Sequence, residues 1–315
     1  MKTKNKKIAN SGFADWSPDL LPDLTGKRYL ITGGNSGIGF EAAKMLVKAK
    51  ADVVIGCRNP TKAKQAVTEI STQGSGDVSS VILDLASLES VRSASTEIHA
   101  RYDKLDGLIN NAGVMQPPQT TTVDGFELQL ATNHLGHFLL ASLLFDLVEK
   151  AAGRIVVTSS IVHKFGRIDF DNLMHKESYH PGRVYGQSKL ANLMFALELD
   201  RKLKASGSSV SCIACHPGVS ATELFKEEGL RKAAFNFIGQ FMLQPAYNGA
   251  IPTVLAAAGV EAIPGAYYGP QSMAEMRGKV SDAKVGKSAL NQEDAARLWR
   301  ESEKLVNHEW KIGPS

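Results

Sequence analysis

The chain has 315 residues, with 36 Lys and Arg against 32 Asp and Glu, for a net charge of +4. So even a balance excludes the concentrated basic face of a dedicated nucleic-acid binder, and 43% apolar with 22% charged residues describes a packed chain, not a disordered one. Three cysteines, Cys57, Cys212 and Cys215, are too few for a disulfide framework and read as reduced thiols of a cytoplasmic protein.

The basic run Lys2 to Lys7 is followed by no apolar segment, so it does not read as a secretory signal. Residues 1–24 are polar, carry Pro18 and Pro22, and are expected to form an arm with little regular structure ahead of one domain over 25–315. From Lys27 short apolar runs alternate with amphipathic segments. Strands are predicted at Arg28–Thr32, Asp52–Gly56, Val78–Leu83, Asp106–Asn110, Arg154–Ser159 and Ser209–Ala214, with a seventh at Ala266–Tyr268. Helices are predicted at Gly37–Lys48, Lys62–Thr72, Ser87–Tyr102 (with Ser87 as its cap), within Val123–Lys150, and at Gly182–Ala205, Asn248–Gly259 and Asp294–Asn307. No apolar stretch approaches the roughly 20 residues of a membrane span. Strands alternating with helices imply parallel strands joined by right-handed crossovers. Runs such as Val53-Val54-Ile55 and Ile155-Val156-Val157 suit strands covered on both faces. The fold expected is α/β: one doubly wound, mostly parallel, seven-stranded sheet with helices on both faces. Cys212 and Cys215 lie three apart on a strand, so they point to opposite faces and read as core residues, not as a metal or redox pair.

Thr32-Gly33-Gly34-Asn35-Ser36-Gly37-Ile38-Gly39 leaves the first of these strands and opens a helix, the context a dinucleotide turn requires. Gly33 permits the tight exit, Gly37 lets backbone approach a pyrophosphate, and Gly39 lets the helix pack on the sheet. The turn, with Asn35, Ser36 and Ile38, presents free N–H groups at a helix N-terminus. The second strand ends Ile55-Gly56-Cys57-Arg58, without the acid that bonds the ribose hydroxyl in NAD sites. Arg58 instead offers its planar fork to a 2′-phosphate, with Asn35 and Lys62 assisting, so NADP(H) is expected ahead of NAD(H). Tyr185-Gly186-Gln187-Ser188-Lys189 puts a tyrosine and a lysine at i and i+4 on one helix face. A nearby ammonium is expected to draw the phenol below its ordinary value of about 10 and make it a proton donor and acceptor near neutrality. Ser160 closes Ile155-Val156-Val157-Thr158-Ser159-Ser160, at the strand edge where open α/β sheets bind ligands. His134 and His137 stand at i and i+3 with no third ligand near them, so no metal is expected.

The G-x-x-x-G-x-G turn, the Asn110-Asn111-Ala112-Gly113 segment and the ordered Ser160, Tyr185 and Lys189 resemble the short-chain dehydrogenases/reductases, a Rossmann-fold family, over Leu24 to Asn307. The 25 residues from Ser160 to Tyr185, with the polar stretch Ile161–Gly182 between them, resemble the retinol dehydrogenase-like and WW-domain oxidoreductase-like branch. The resemblance implies hydride transfer between NADP(H) and a carbonyl or alcohol, with Ser160 orienting the carbonyl oxygen, Tyr185 passing the proton and Lys189 binding the nicotinamide ribose. It implies that Asn133 holds a water linking Lys189 to solvent. It places Asp84 and Leu85 at the adenine, and Asn111, Ala112 and Gly113 at the adenosine ribose. Thr158 falls on the cofactor side, and Pro217, Gly218, Val219 and Thr222 fall around the nicotinamide carboxamide and pyrophosphate. Substrate choice is expected in 219–270, where Phe225, Phe235, Phe237, Ile238, Phe241 and Met242 mark an apolar lid or core face and a small apolar substrate. Two alternatives stand beside this reading: a non-catalytic NADP(H)-binding regulator, and a double-bond reductase like protochlorophyllide reductase. A homo-oligomer paired through Val123–Lys150 and Gly182–Ala205, or a monomer if the insertion Ile161–Gly182 and the long C-terminus block that pairing, both remain open.

Overall fold

The computed structural model describes residues 5–219 and 244–312. In chain order the strands are β1 (Lys6–Lys7), β2 (Arg28–Thr32), β3 (Asp52–Cys57), β4 (Val78–Ile82), β5 (Gly107–Asn110), β6 (Arg154–Thr158), β7 (Ser211–Cys215), β8 (Tyr267–Ser272), β9 (Arg277–Asp282) and β10 (Lys284–Val285). The helices are α1 (Gly37–Lys48), α2 (Pro60–Ser71), α3 (Leu88–Arg101), α4 (Leu128–Leu130), α5 (Gly136–Leu143), α6 (Phe145–Lys150), α7 (Pro181–Ser206), α8 (Ala246–Ala258) and α9 (Gln292–Leu305). A π-helical turn at Ala131–Leu135 joins α4 to α5. Caps set several starts: Asn59 accepts from Lys62 N–H at 3.0 Å ahead of α2, and Ser87 accepts from Ser90 N–H at 3.3 Å ahead of α3.

Among the described residues the main sheet has eight strands in the order β4-β3-β2-β5-β6-β7-β8-β9, not the seven expected. Every pair is parallel except the last, where β9 runs antiparallel to β8. β9 escapes sequence reading because Arg277-Gly278-Lys279-Val280-Ser281-Asp282 has no apolar run and half of it is exposed. Its charges suit an edge strand, which must not recruit another chain.

Strand order reverses between β2 and β5, so the crevice beyond their C-terminal ends is the expected ligand site. The sheet divides the core into two layers. Alternation along β7 sends Cys212 and Ala214 into one and Ile213 and Cys215 into the other, as read from their spacing. The arm has only β1 and a short turn at Pro18–Leu20, yet Trp16 is 2% exposed and its indole N–H donates to Glu261 at 2.8 Å. At the other end of the chain Trp299 and Trp310 pack on Phe138 of α5, with ring centroids 5.0 and 5.5 Å away. Pro252 lies inside α8. Among the described residues no helix is long and apolar enough to cross a membrane.

Candidate active site

The turn after β2 has the backbone its glycines imply. Gly33 has φ +67° and Gly37 φ +57°, conformations that disfavour any side chain. A Cβ on Gly39 would lie 2.5 Å from Asn111 Nδ2 and 2.6 Å from the Gly33 carbonyl. Ser36 caps α1 in extended conformation without a side-chain bond, so the first N–H groups of α1 face the crevice. Across from the turn, Thr32 is fully buried and holds the segment after β5. Its hydroxyl oxygen accepts from Asn111 N–H at 2.9 Å and Ala112 N–H at 3.0 Å, and its carbonyl accepts from Asn111 Nδ2 at 2.9 Å. The Asn111 side chain therefore fixes the loop.

These walls enclose a cleft of about 500 Å³ lined by Gly33, Asn35, Ser36, Gly37, Ile38 and Gly39 on one side and by Asp84, Leu85, Asn111, Ala112 and Gly113 on the other. Arg58 and Lys62 stand in the same lining, both exposed. Asp84 turns its carboxylate to Ala86 N–H at 3.0 Å, and Leu85 is buried. Gly56, Cys57, Asn59, Leu83, Val114 and Thr132 line the cleft too and were not singled out from the sequence. All but Gly56 directly adjoin predicted site residues in the chain.

Beyond the cleft, Ser160, Tyr185 and Lys189 come together. Ser160 ends the β6 segment and begins a 3-10 turn over Ile161–Phe165, and its hydroxyl is near enough to the Tyr185 phenol to favour the phenolate. Lys189 Nζ lies 5.8 Å from the Tyr185 ring centre and donates to the Thr158 carbonyl at 3.3 Å. Burial pushes Tyr185 up from 10.0 to about 12, against the nearby Ser160 hydroxyl, which lowers it. Burial also pushes Lys189 down from 10.5 to about 8. The expectation that Lys189 draws the phenol below its ordinary value is thus reversed in the chain by itself. A poorly solvated site penalises phenolate and ammonium alike, and here burial sets the direction of both shifts.

Asn133 sits in the π-helical turn, a feature often found at functional sites. Its Oδ1 accepts from Val114 N–H at 2.8 Å, while Nδ2 lies 3.0 Å from the Val114 carbonyl and 2.9 Å from Ser188 Oγ. A Cβ on Gly113 would lie 3.0 Å from that Oδ1 and 3.4 Å from Lys189 Nζ, so this glycine admits both groups. His137 Nδ1 faces the Asn133 carbonyl at 3.0 Å; a carbonyl only accepts, so Nε2 accepts from the Thr32 hydroxyl at 2.8 Å. His134 Nε2 pairs with Ser302 Oγ at 2.9 Å. Both histidines act as neutral core brackets.

After β7, Gly218 has φ +70°. Val219 N–H donates to the Met276 carbonyl at 2.8 Å, and the Val219 carbonyl accepts from Gln244 N–H at 2.9 Å. The Gln244 amide also donates to the Pro217 carbonyl. A carboxamide bound through Val219 would replace or share these bonds. Thr222 and the apolar positions Phe225 to Met242 lie outside the described residues.

A family model described as short chain dehydrogenase matches residues 27–233. Human retinol dehydrogenase 14 is 38% identical over 303 residues, covering 90% of this chain and 87% of that protein. Human retinol dehydrogenase 13 is 38% identical over 294 residues, covering 91% and 86%. A crystal structure of a Mycobacterium paratuberculosis protein is 34% identical and covers 95% of this chain and 100% of that one, with a TM-score of 0.79. The Pseudomonas aeruginosa RhlG complex with NADP is similar in fold alone, at 22% identity, 80% and 96% coverage and a TM-score of 0.61.

Proposed function

The chain belongs to the short-chain dehydrogenase family, in its retinol dehydrogenase-like branch, and is an oxidoreductase; from that premise we propose that it interconverts an apolar aldehyde or ketone and its alcohol with NADP(H), using Tyr185, Lys189 and Ser160. One observation carries this reading. Ser160, the Tyr185 phenol and the buried amine of Lys189 converge beyond the end of a cleft whose walls suit a phosphorylated dinucleotide.

The residues present fit that cofactor. In the Gly33–Gly39 turn Gly39 lets α1 pack close against Asn111 and the Gly33 carbonyl, and Gly37, with φ +57°, offers backbone to a pyrophosphate. Arg58 and Lys62 supply cations where a 2′-phosphate would lie, with no acid ending β3. Lys189 would hold the nicotinamide ribose. When bound, the nicotinamide supplies or takes up the hydride.

In the reductive direction Ser160 donates to the substrate oxygen and holds it against the charge that develops there. Tyr185, kept protonated by burial, gives its proton to that oxygen. Lys189, pushed to about 8, sits close to the pH at which it can replace that proton. Asn133 holds the Val114 backbone and Ser188, and so fixes the wall behind Lys189.

The names of the similar human proteins direct the substrate search to retinoid and other long apolar aldehydes. The cysteines Cys57, Cys212 and Cys215 are unpaired, which fits the reducing cytoplasm. Trp299 and Trp310 lie 5.9 Å from Phe195 of α7 as well as against α5. They cover helices otherwise available for pairing, which favours a monomer.

The test is NADPH fluorescence on mixing, then loss of NADPH absorbance with a panel of aldehydes and ketones, repeated with NADH. Turnover with a clear preference for NADPH is expected. Binding without turnover across the panel would favour the regulator reading.

A further inference from the structure

Beneath Ser160 lies a group of polar side chains that the proposed mechanism does not use: the buried His163, His216, Tyr267 and Glu275, with the partly buried Lys164. His163 is fully buried. Its Nε2 accepts from Gly286 N–H at 3.0 Å, which makes Nδ1 the protonated nitrogen, and Nδ1–H donates to the Ser160 carbonyl at 2.6 Å. The same carbonyl accepts the backbone N–H of His163 at 3.1 Å. One residue therefore supplies both donors to the main chain of Ser160.

The anchor is close-fitting. A Cβ on Gly286 would lie 3.1 Å from Lys164 Cα and 3.3 Å from the His163 ring. Tyr267 meets that ring edge-on at 5.4 Å. Lys164 then pairs with Glu275 at 2.5 Å, and Glu275 accepts Lys284 N–H at 3.0 Å. The turn that begins at Ser160 is thus tied from below to the β8–β9 connection and to Gly286, far along the chain. Phe165, at its end, is 89% exposed among the described residues.

We propose that His163 is a positioning residue, anchored on Gly286, that sets the place of the Ser160 hydroxyl relative to Tyr185; this role rests on the catalytic reading above. His163→Phe keeps a ring of similar size and loses both bonds. His163→Asn puts an amide nitrogen near the position of Nδ1 and retains the bond to Ser160. His163→Gln reaches Gly286 instead.

His163→Phe should lower kcat roughly 10- to 100-fold, the scale of a small misplacement of a reacting group, with NADPH affinity nearly unchanged. Asn should recover most of that loss and Gln little of it. In a Ser160→Ala background His163→Phe should cost nothing more, because its effect passes through Ser160. Equal losses in both backgrounds, or equal rescue by Asn and Gln, would overturn the proposal. Crystal structures of the unmodified protein and His163→Phe give a readout independent of turnover, with Ser160 expected to shift away from Tyr185. A Ser160 that stays in place refutes the positioning role, whereas a protein that reduces no carbonyl compound refutes the catalytic reading.

Discussion

Lys189 and Tyr185 share a face of α7, yet the amine, 5.8 Å from the ring centre, donates to the Thr158 carbonyl at the end of β6. The lysine is therefore held by the sheet and not by the phenol, and its orientation survives changes at the tyrosine. Helix and strand together aim both groups at the space beyond the dinucleotide cleft.

Tyr185→Phe should lower turnover by about 10²–10⁴-fold, the usual worth of positioned proton transfer. Because Lys189 keeps its bond to Thr158, NADPH binding measured by fluorescence should be retained. Near-normal turnover in this variant would remove Tyr185 from the mechanism.

Arg58→Ala removes an exposed cation from the cleft lining without disturbing the core. A charge-assisted hydrogen bond contributes ~1.5–3 kcal/mol, so kcat/KM for NADPH should fall by roughly 10- to 100-fold while that for NADH changes little. Equal use of the two cofactors by the unmodified protein would contradict this role.

Thr32→Val should destabilise the fold and loosen the site together. The swap leaves the Ala112 N–H, now 3.0 Å from the hydroxyl oxygen, without that partner, while the Asn111 N–H keeps the Ile109 carbonyl at 3.0 Å. An orphaned donor costs about 1–3 kcal/mol. Thr32→Ser keeps the oxygen and should lose about 1 kcal/mol or less. Urea denaturation midpoints read the difference, and matching midpoints for Val and Ser would show that the hydroxyl does not hold this loop.

Stability should fall as the solution is acidified below about pH 6.5. Burial lowers His134 from 6.5 to about 4, His137 to about 3 and His163 to about 4. The unfolded chain then binds protons that the native chain does not, so the contribution is complete above 6.5 and is lost as pH falls through the folded values. Glu127 acts with opposite sign, because burial raises its carboxyl, but burial lowers His216 and His308 as well, so the histidines outnumber it. Thermal melts from pH 7.5 to 4.5 should show a steadily falling Tm; a flat profile would mean that these rings are not held neutral.

Much of the molecule can be read in the sequence because its signals are local. Glycines at 33, 37 and 39 encode the turn through their own φ angles and the room they leave. The alternation of apolar runs with amphipathic segments encodes parallel strands and crossover helices, and the i, i+4 spacing encodes the shared face of Tyr185 and Lys189. Tertiary structure alone decided the rest. β9 has too few apolar residues to announce itself and exists because β8 offers it an edge. The position of Tyr185 near 12, not below 10, comes from surroundings assembled from several strands and helices. The support beneath Ser160 joins residues separated by more than a hundred positions, such as His163 and Gly286. Desolvation and long-range hydrogen bonds depend on which distant segments meet, and one-dimensional spacing carries no record of that meeting.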